Sequence, residues 1–224
     1  LDRAKLPLMA ERYAQLAQKP GAELARPLPA VRLQFDPVNT ARTTARLDLD
    51  RSRPIAVFCP GAEYGPAKRW PARHFAALAR ELAGRNYAIW LIGSGKDAEP
   101  AEEIRAQSGG VCENLCGQTD LAAAIDLISC AELVVSNDSG LMHVAAALGK
   151  PLIALYGSSS PAHTPPLTLS AQPGLARVVK IDIACSPCFA RACPLGHFKC
   201  MNDLAPAQVL AEIDALREPA SGGD

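Results

Sequence analysis

Residues 132–158, "ELVVSNDSGLMHVAAALGKPLIALYGS", decide the fold. "ELVVSN" is a short apolar run that reads as a buried strand, and "GLMHVAAAL" carries a helix to Leu148, where Gly149 and Pro151 end it. "PLIALYG" is then a second buried strand. A strand, a crossover helix and another strand make the unit of a parallel sheet.

The same alternation extends outward on both sides. Upstream, "PIAVFCPG" (54–61) and "YAIWLIGSG" (87–95) read as buried strands. Between them "WPARHFAALARELAGRN" (70–86) places Phe75, Leu78, Ala79 and Leu82 on one helical face, with a stop at Gly84. "AEPAEEIRAQSGG" (98–110) is a more polar helix, and another spans about 121–129. Downstream come "ARVVKIDI" (176–183), a cysteine-rich loop and the closing helix "APAQVLAEIDALRE" (205–218). The expected fold is α/β, a doubly wound parallel sheet with helices on both faces, in which ligands bind at the carboxyl ends of the strands. The first 53 residues differ: a helix in "PLMAERYAQLAQKPG" ending at Pro20-Gly21, then a proline-punctuated polar stretch with one strand candidate at 31–35. They read as an interdomain connection, and "REPASGGD" (217–224) as a disordered tail.

Composition excludes several function classes. The 224 residues are 49% hydrophobic, enough for one good core. Lys and Arg total 23 and Asp and Glu total 23, so no net positive field draws the chain to nucleic acid or an anionic membrane. No apolar stretch approaches the roughly 18 residues a membrane span needs. The chain opens on Leu1 rather than Met, which leads us to expect further sequence before it.

Chemistry should therefore sit in the loops after the strands. Asp138 or Ser139 is a natural N-cap for the helix that starts at Gly140, and a capped helix alone would explain both. It does not explain Gly140, which weakens the first turn yet lets a phosphate reach the backbone amides, nor His143, four residues after Ser139 on the same face. An anion site fits all four. The loop "CPGAEYGPAKRWP" runs through small residues to Lys68 and Arg69, the cationic charge a pyrophosphate requires, with Glu63 among them; the alternative is a solvated basic turn. It is neither a Walker A loop nor G-x-G-x-x-G, which argues against a P-loop kinase and a standard dehydrogenase. A third loop carries Gly93, Ser94, Gly95 and Asp97, where an acid can hold a ribose hydroxyl.

Eight cysteines divide into two sets. Cys59, Cys112, Cys116 and Cys130 lie in or beside apolar runs and read as small hydrophobes. Cys185, Cys188, Cys193 and Cys200 crowd together with His197; a structural metal site, a disulfide or redox pairing, and reduced thiols folding a local loop all stay open.

"PGAEYGPAKRWP" (60–71), "SNDSGLMHVAAALGKPLIALYGSSSPAHTPPL" (136–167) and "CSPCFARACPLGHFKCM" (185–201) resemble the ADP-heptose:lipopolysaccharide heptosyltransferase II family, within glycosyltransferase family 9. The resemblance implies a GT-B enzyme of two Rossmann-like domains, with residues 1–53 ending the N-terminal domain and leading into an interdomain linker, 54–217 forming the nucleotide-sugar-binding domain and 218–224 a tail. It implies transfer of heptose from ADP-heptose to the inner-core heptose of lipopolysaccharide, with inversion and with neither metal nor cofactor. The setting would be the cytoplasm of a Gram-negative bacterium, in peripheral contact with the inner membrane. Lys68 would stabilise the leaving diphosphate, Asp138 would hold donor sugar hydroxyls, Ser139 and Gly140 would present a hydroxyl and amides to the diphosphate, and His143 would lie beside it. Gly93 with Ser94, and Gly117 with Thr119, would flank the adenosine. The general base belongs to the family's N-terminal domain, whose first glycine-rich turn does not occur here, so the expectation is a piece that binds ADP weakly and transfers nothing alone. A family 9 transferase with another nucleotide-sugar and a non-catalytic nucleotide-binding module are the alternatives.

Overall fold

The computed structural model describes residues 2, 4–167 and 174–217. The tail expected at 218–224 lies outside the described residues. Helix α1 (Met9–Leu16) and helix α2 (Pro37–Arg46) precede strand β1 (Ile55–Cys59). There follow α3 (Ala72–Gly84), β2 (Ala88–Leu91), α4 (Ala98–Gln107), β3 (Cys112–Asn114), α5 (Leu121–Ser129) and β4 (Leu133–Asn137). Helix α6 (Gly140–Ala147), β5 (Leu152–Leu155), β6 (Ala176–Val179), the single turn α7 (Lys199–Asn202) and α8 (Pro206–Arg217) complete the order.

The six strands form one parallel sheet in the order β3-β2-β1-β4-β5-β6. This is the doubly wound order expected of alternating strands and helices. Both faces are covered, which is why the central strands read as continuous apolar runs. Along β1, Ala56 and Phe58 enter one core with Phe75, Leu78 and Leu82 of α3 and Ile213 of α8. Ile55, Val57 and Cys59 point the other way, toward Leu127 and Ile128 of α5 and Met142 and Ala145 of α6. Side chains as large as Trp90, Phe58 and Phe75 are fully buried, each worth about 1.5–3 kcal/mol of transfer free energy.

The first fifty residues depart from expectation. Residues 31–35 form no strand: Leu33 makes one backbone bond, to the Ala147 carbonyl, and Val31, Leu33 and Phe35 stay exposed. A second helix, α2, replaces part of the expected connection. Asp36 caps it by accepting from the Val38 amide, Pro37 opens it, and it turns Thr40, Thr43 and Thr44 inward. Buried Asp126 of α5 ties it down, accepting from the Asp36 amide (2.8 Å) and from the Asn39 side chain. Helix α1 forms as expected, but Met9, Tyr13 and Leu16 are 39%, 67% and 66% exposed, so its apolar side stays outside the core. Its buried residue is Glu11, held by Arg26 at 2.9 Å. Strand β3 was also unforeseen, being a three-residue edge segment with a polar Glu113.

Candidate functional site

In the observed strand order the chain leaves β1 toward β2 and leaves β4 toward β5, so the loops after β1 and β4 diverge and open a crevice between them. Both expected loops lie there. The loop after β1 reaches Lys68 through a short 3-10 turn, Pro66–Lys68, and the chain after β4 delivers Asp138. Lys68 Nζ lies 2.6 Å from Asp138 Oδ2, with the carboxylate side chain only 5% exposed. Ser159 in the loop after β5 donates to the same Oδ2 at 2.5 Å. On its other side the Lys68 ammonium stands 5.1 Å from the Tyr64 ring centroid, within cation–π range.

Neither Asp138 nor Ser139 caps α6 with its side chain. Ser139 occupies the N-cap position in extended backbone, but its hydroxyl lies 3.3 Å from that of Ser136, and Asp138 is turned toward Lys68. The first-turn amides of α6 are thus left without a side-chain acceptor, and the space above Gly140 is open enough that an added Cβ would meet nothing. Amide donors, the positive end of the helix dipole and an ammonium group converge on one crevice, which is what an anion requires.

A cavity of about 490 Å³ opens on one side of this point, lined by Cys59, Glu63, Gly93, Ser94, Thr119, Leu121, Ser139 and Gly140 among others. A second, of about 410 Å³, opens on the Lys68 side, with Tyr64, Ser159, Ser160, His163 and Phe189. Of the expected site residues, Glu63, Gly93, Ser94, Asp97, Thr119, Ser139 and Gly140 therefore share the first cavity and Lys68 faces the second, while Asp138 and Arg69 line neither. Gly117 lines neither: at φ +76° its Cα face packs so closely on Gly95 that a Cβ would come within 2.9 Å. His143 is exposed and faces a third cavity, of about 280 Å³, with Met9, Tyr13 and His163. Surrounding protein nonetheless crowds its ring, and that desolvation pushes its pKa below the ordinary value; Asp138 opposes the shift and Lys68 adds to it.

The remaining polar residues of the loops are engaged with one another. Arg69 turns from the ammonium of Lys68 toward Asp97, Nη2 lying 3.9 Å from Oδ1. Asp97 is buried and accepts from the amide (2.9 Å) and hydroxyl (2.7 Å) of Ser94 through Oδ2, so this acid and Ser94 close a capping box instead of standing ready for a ribose. Glu63 is exposed at the cavity mouth and pairs with Lys96 at 2.8 Å, which is the main cause of its lowered pKa.

Two residues that hold the site together were not anticipated. Asn137 is fully buried; its Nδ2 donates to the Pro60 carbonyl at 2.6 Å and its Oδ1 accepts from the Trp70 amide at 3.1 Å. It thereby fixes both ends of the loop that carries Lys68. A polar residue closing an apolar strand had to find partners, and that signal was present in "LVVSN". Ser159, the second, lies after β5 at the same carboxyl edge, where the loop rule would have pointed.

Cys59 and Cys116 are buried beneath the first cavity, desolvation pushing the Cys59 thiol far up and the Cys116 thiol up to about 12. Cys130 is half-buried and the Cys112 thiol fully so. All eight cysteines are free thiols, and among the described residues no three His, Cys, Asp or Glu side chains are grouped to hold a metal ion. Burial, followed by the proximity of Cys188, Cys185 and Cys193, raises the Cys200 thiol, whereas the Phe198 amide and its neighbours, donating to Cys193 Sγ, lower that one.

The model of glycosyltransferase family 9 (heptosyltransferase) matches residues 1–199. Lipopolysaccharide heptosyltransferase 2 of Escherichia coli (strain K12) is 42% identical over 96% of this chain and 63% of its own length. Lipooligosaccharide heptosyltransferase 2 of Haemophilus ducreyi (strain 35000HP / ATCC 700724) is 42% identical over 94% of this chain and 63% of its own. The solved structure of the E. coli ADP-heptose lps heptosyltransferase II superposes with a TM-score of 0.83, covering 96% of this chain and 63% of that one. The chain thus spans 63% of the length of these relatives.

Proposed function

The chain belongs to glycosyltransferase family 9, and from that premise we propose that it carries the donor-binding part of a heptosyltransferase that moves heptose from ADP-heptose onto the inner-core heptose of lipopolysaccharide. The observation that carries this reading is the Lys68–Asp138 pair beside the uncapped start of α6, with a cavity on either side. The diphosphate lies across the first-turn amides and Lys68. Adenosine occupies the larger cavity, between Gly93 and Thr119, and the sugar reaches toward Asp138 and the Ser159 side. Transfer with inversion forms a bond from the acceptor oxygen to the anomeric carbon while the bond to the diphosphate oxygen breaks, and ADP departs with the electron pair. Lys68 and the α6 amides offset the negative charge that builds on that oxygen. The acceptor's proton goes to a base that we assign to no residue of this chain. The setting is the cytoplasmic face of a Gram-negative inner membrane, reached as a peripheral protein; among the described residues no helix is long and apolar enough to cross a membrane.

Thermal melting with ADP, ADP-heptose and UDP tests the reading. Selective binding raises the melting temperature with the first two, and Lys68→Ala reduces both shifts. An equal shift with UDP, or none with any nucleotide, refutes it.

A further inference from the structure

The segment 185–200 is the sequence motif that the donor reading leaves without a role, yet it is fastened to the loop that carries Lys68. The Arg191 carbonyl accepts from the Ala67 amide at 3.1 Å, and the Phe189 carbonyl accepts from the Tyr64 hydroxyl at 2.8 Å. Gly65, at φ +156°, lies so near that a Cβ would come within 2.3 Å of the Arg191 carbonyl oxygen. On its other flank the segment holds the loop after β5: the Phe189 amide donates to the Ser158 carbonyl at 2.7 Å, and the Ser186 hydroxyl to that of Gly157 at 2.7 Å. Ser159, bonded to Asp138, is the next residue along. The position of residue 191 relative to Lys68 is therefore set by backbone contacts, independent of its own side chain.

That side chain is an exposed guanidinium 5.4 Å from the centroid of the same Tyr64 ring that Lys68 approaches at 5.1 Å. Two cations beside one ring repel each other, Asp138 offsets the charge of Lys68 alone, and an anion within reach of both offsets the rest. Of the other cations of the crevice, Lys68 pairs with Asp138, Arg69 with Asp97 and Lys96 with Glu63, while Arg12, which lines the Lys68-side cavity, donates to the Pro7 carbonyl. Arg191 makes no salt bridge among the described residues, and its field reaches Glu63 at the cavity mouth, where it helps lower the carboxyl pKa behind the larger effect of Lys96. We propose that Arg191 is a second cation for the donor diphosphate, delivered by the cysteine-rich segment, whose structural task is to hold this guanidinium in register with Lys68. The proposal rests on the donor reading given above.

Calorimetric titration of the chain with ADP and AMP, for wild type, Arg191→Ala, Arg191→Lys, Lys68→Ala and, as a control, Arg85→Ala, tests it. Arg85 pairs with Asp214 of α8, after the end of α3 and away from the crevice. The expected result is a loss of ADP affinity of roughly five- to tenfold in Arg191→Ala, as fits an exposed charge, with partial recovery in Arg191→Lys and a smaller loss for AMP, which lacks the second phosphate. The loss should shrink as salt is raised. Because the backbone bonds of residue 191 survive the substitution, an unchanged melting temperature is expected alongside. ADP affinity reduced in Lys68→Ala but unchanged in Arg191→Ala overturns this proposal and leaves the donor reading standing. Equal losses for ADP and AMP also overturn it, and failure of the wild-type chain to bind ADP overturns both.

Discussion

Asp138 receives Lys68 and Ser159 on one carboxylate oxygen, Oδ2, at 2.6 and 2.5 Å, and its Oδ1 accepts no hydrogen bond from the described residues. One oxygen holds the ammonium in place while the other keeps its accepting capacity, which the donor reading assigns to a sugar hydroxyl. Asp138→Asn keeps the shape and removes the charge. We expect its affinity for ADP to fall by no more than about threefold and its affinity for ADP-heptose to fall by about tenfold or more, since only the latter offers hydroxyls to the lost acceptor. Calorimetry with both ligands measures this, and equal losses would reduce Asp138 to an anchor for Lys68.

Asn137→Ala should destabilise the chain. It strands the Pro60 carbonyl and the Trp70 amide, each buried and each costing about 1–3 kcal/mol when left unpaired, so a loss of about 2–4 kcal/mol is expected by urea unfolding. ADP affinity should fall too, because both ends of the Lys68 loop lose their fastening. A variant as stable as wild type would mean that water or a rearranged loop replaces both bonds.

His143 should titrate below the ordinary histidine range, because desolvation disfavours its charged form. With the folded pKa depressed, the unfolded chain binds the proton more readily. The contribution to stability is complete above the unfolded pKa of about 6.5 and is lost as pH falls toward the folded pKa. His143→Asn removes that part of the acid destabilisation. A bound diphosphate one turn away favours the imidazolium, so ADP should raise the His143 pKa and its binding below pH 6.5 should take up protons. Ring-proton NMR, assigned with the Asn variant, follows both; a pKa unmoved by ADP would place the anion elsewhere.

Cys193 should be the first thiol alkylated by iodoacetamide near neutral pH. Backbone amides around its sulfur favour the thiolate, whereas Cys59 and Cys116 are buried and their thiols pushed up. Peptide mass spectrometry over time gives the order of labelling. Cys116 or Cys59 reacting first would show that the wall of the larger cavity opens in solution.

The sequence by itself determined the sheet and the crevice. Short continuous apolar runs, buried on both faces, and helices of period 3.6 are local patterns, and a parallel alternation of the two forces the loops after β1 and β4 to one edge, so Lys68, Asp138, Ser139 and Gly140 could be placed at that edge in advance. Tertiary structure decided what each side chain does there. Asn137 meets residues 77 and 67 positions away, and Tyr64 meets the Phe189 carbonyl 125 positions away; such partners depend on how loops from distant strands settle against one another, which no short stretch encodes. The same cause turned Arg69 to Asp97, left α6 without its expected side-chain cap, and folded residues 37–46 as a helix, since burial against Asp126 of α5 rewards a Thr-rich segment whose own pattern looked like a connection.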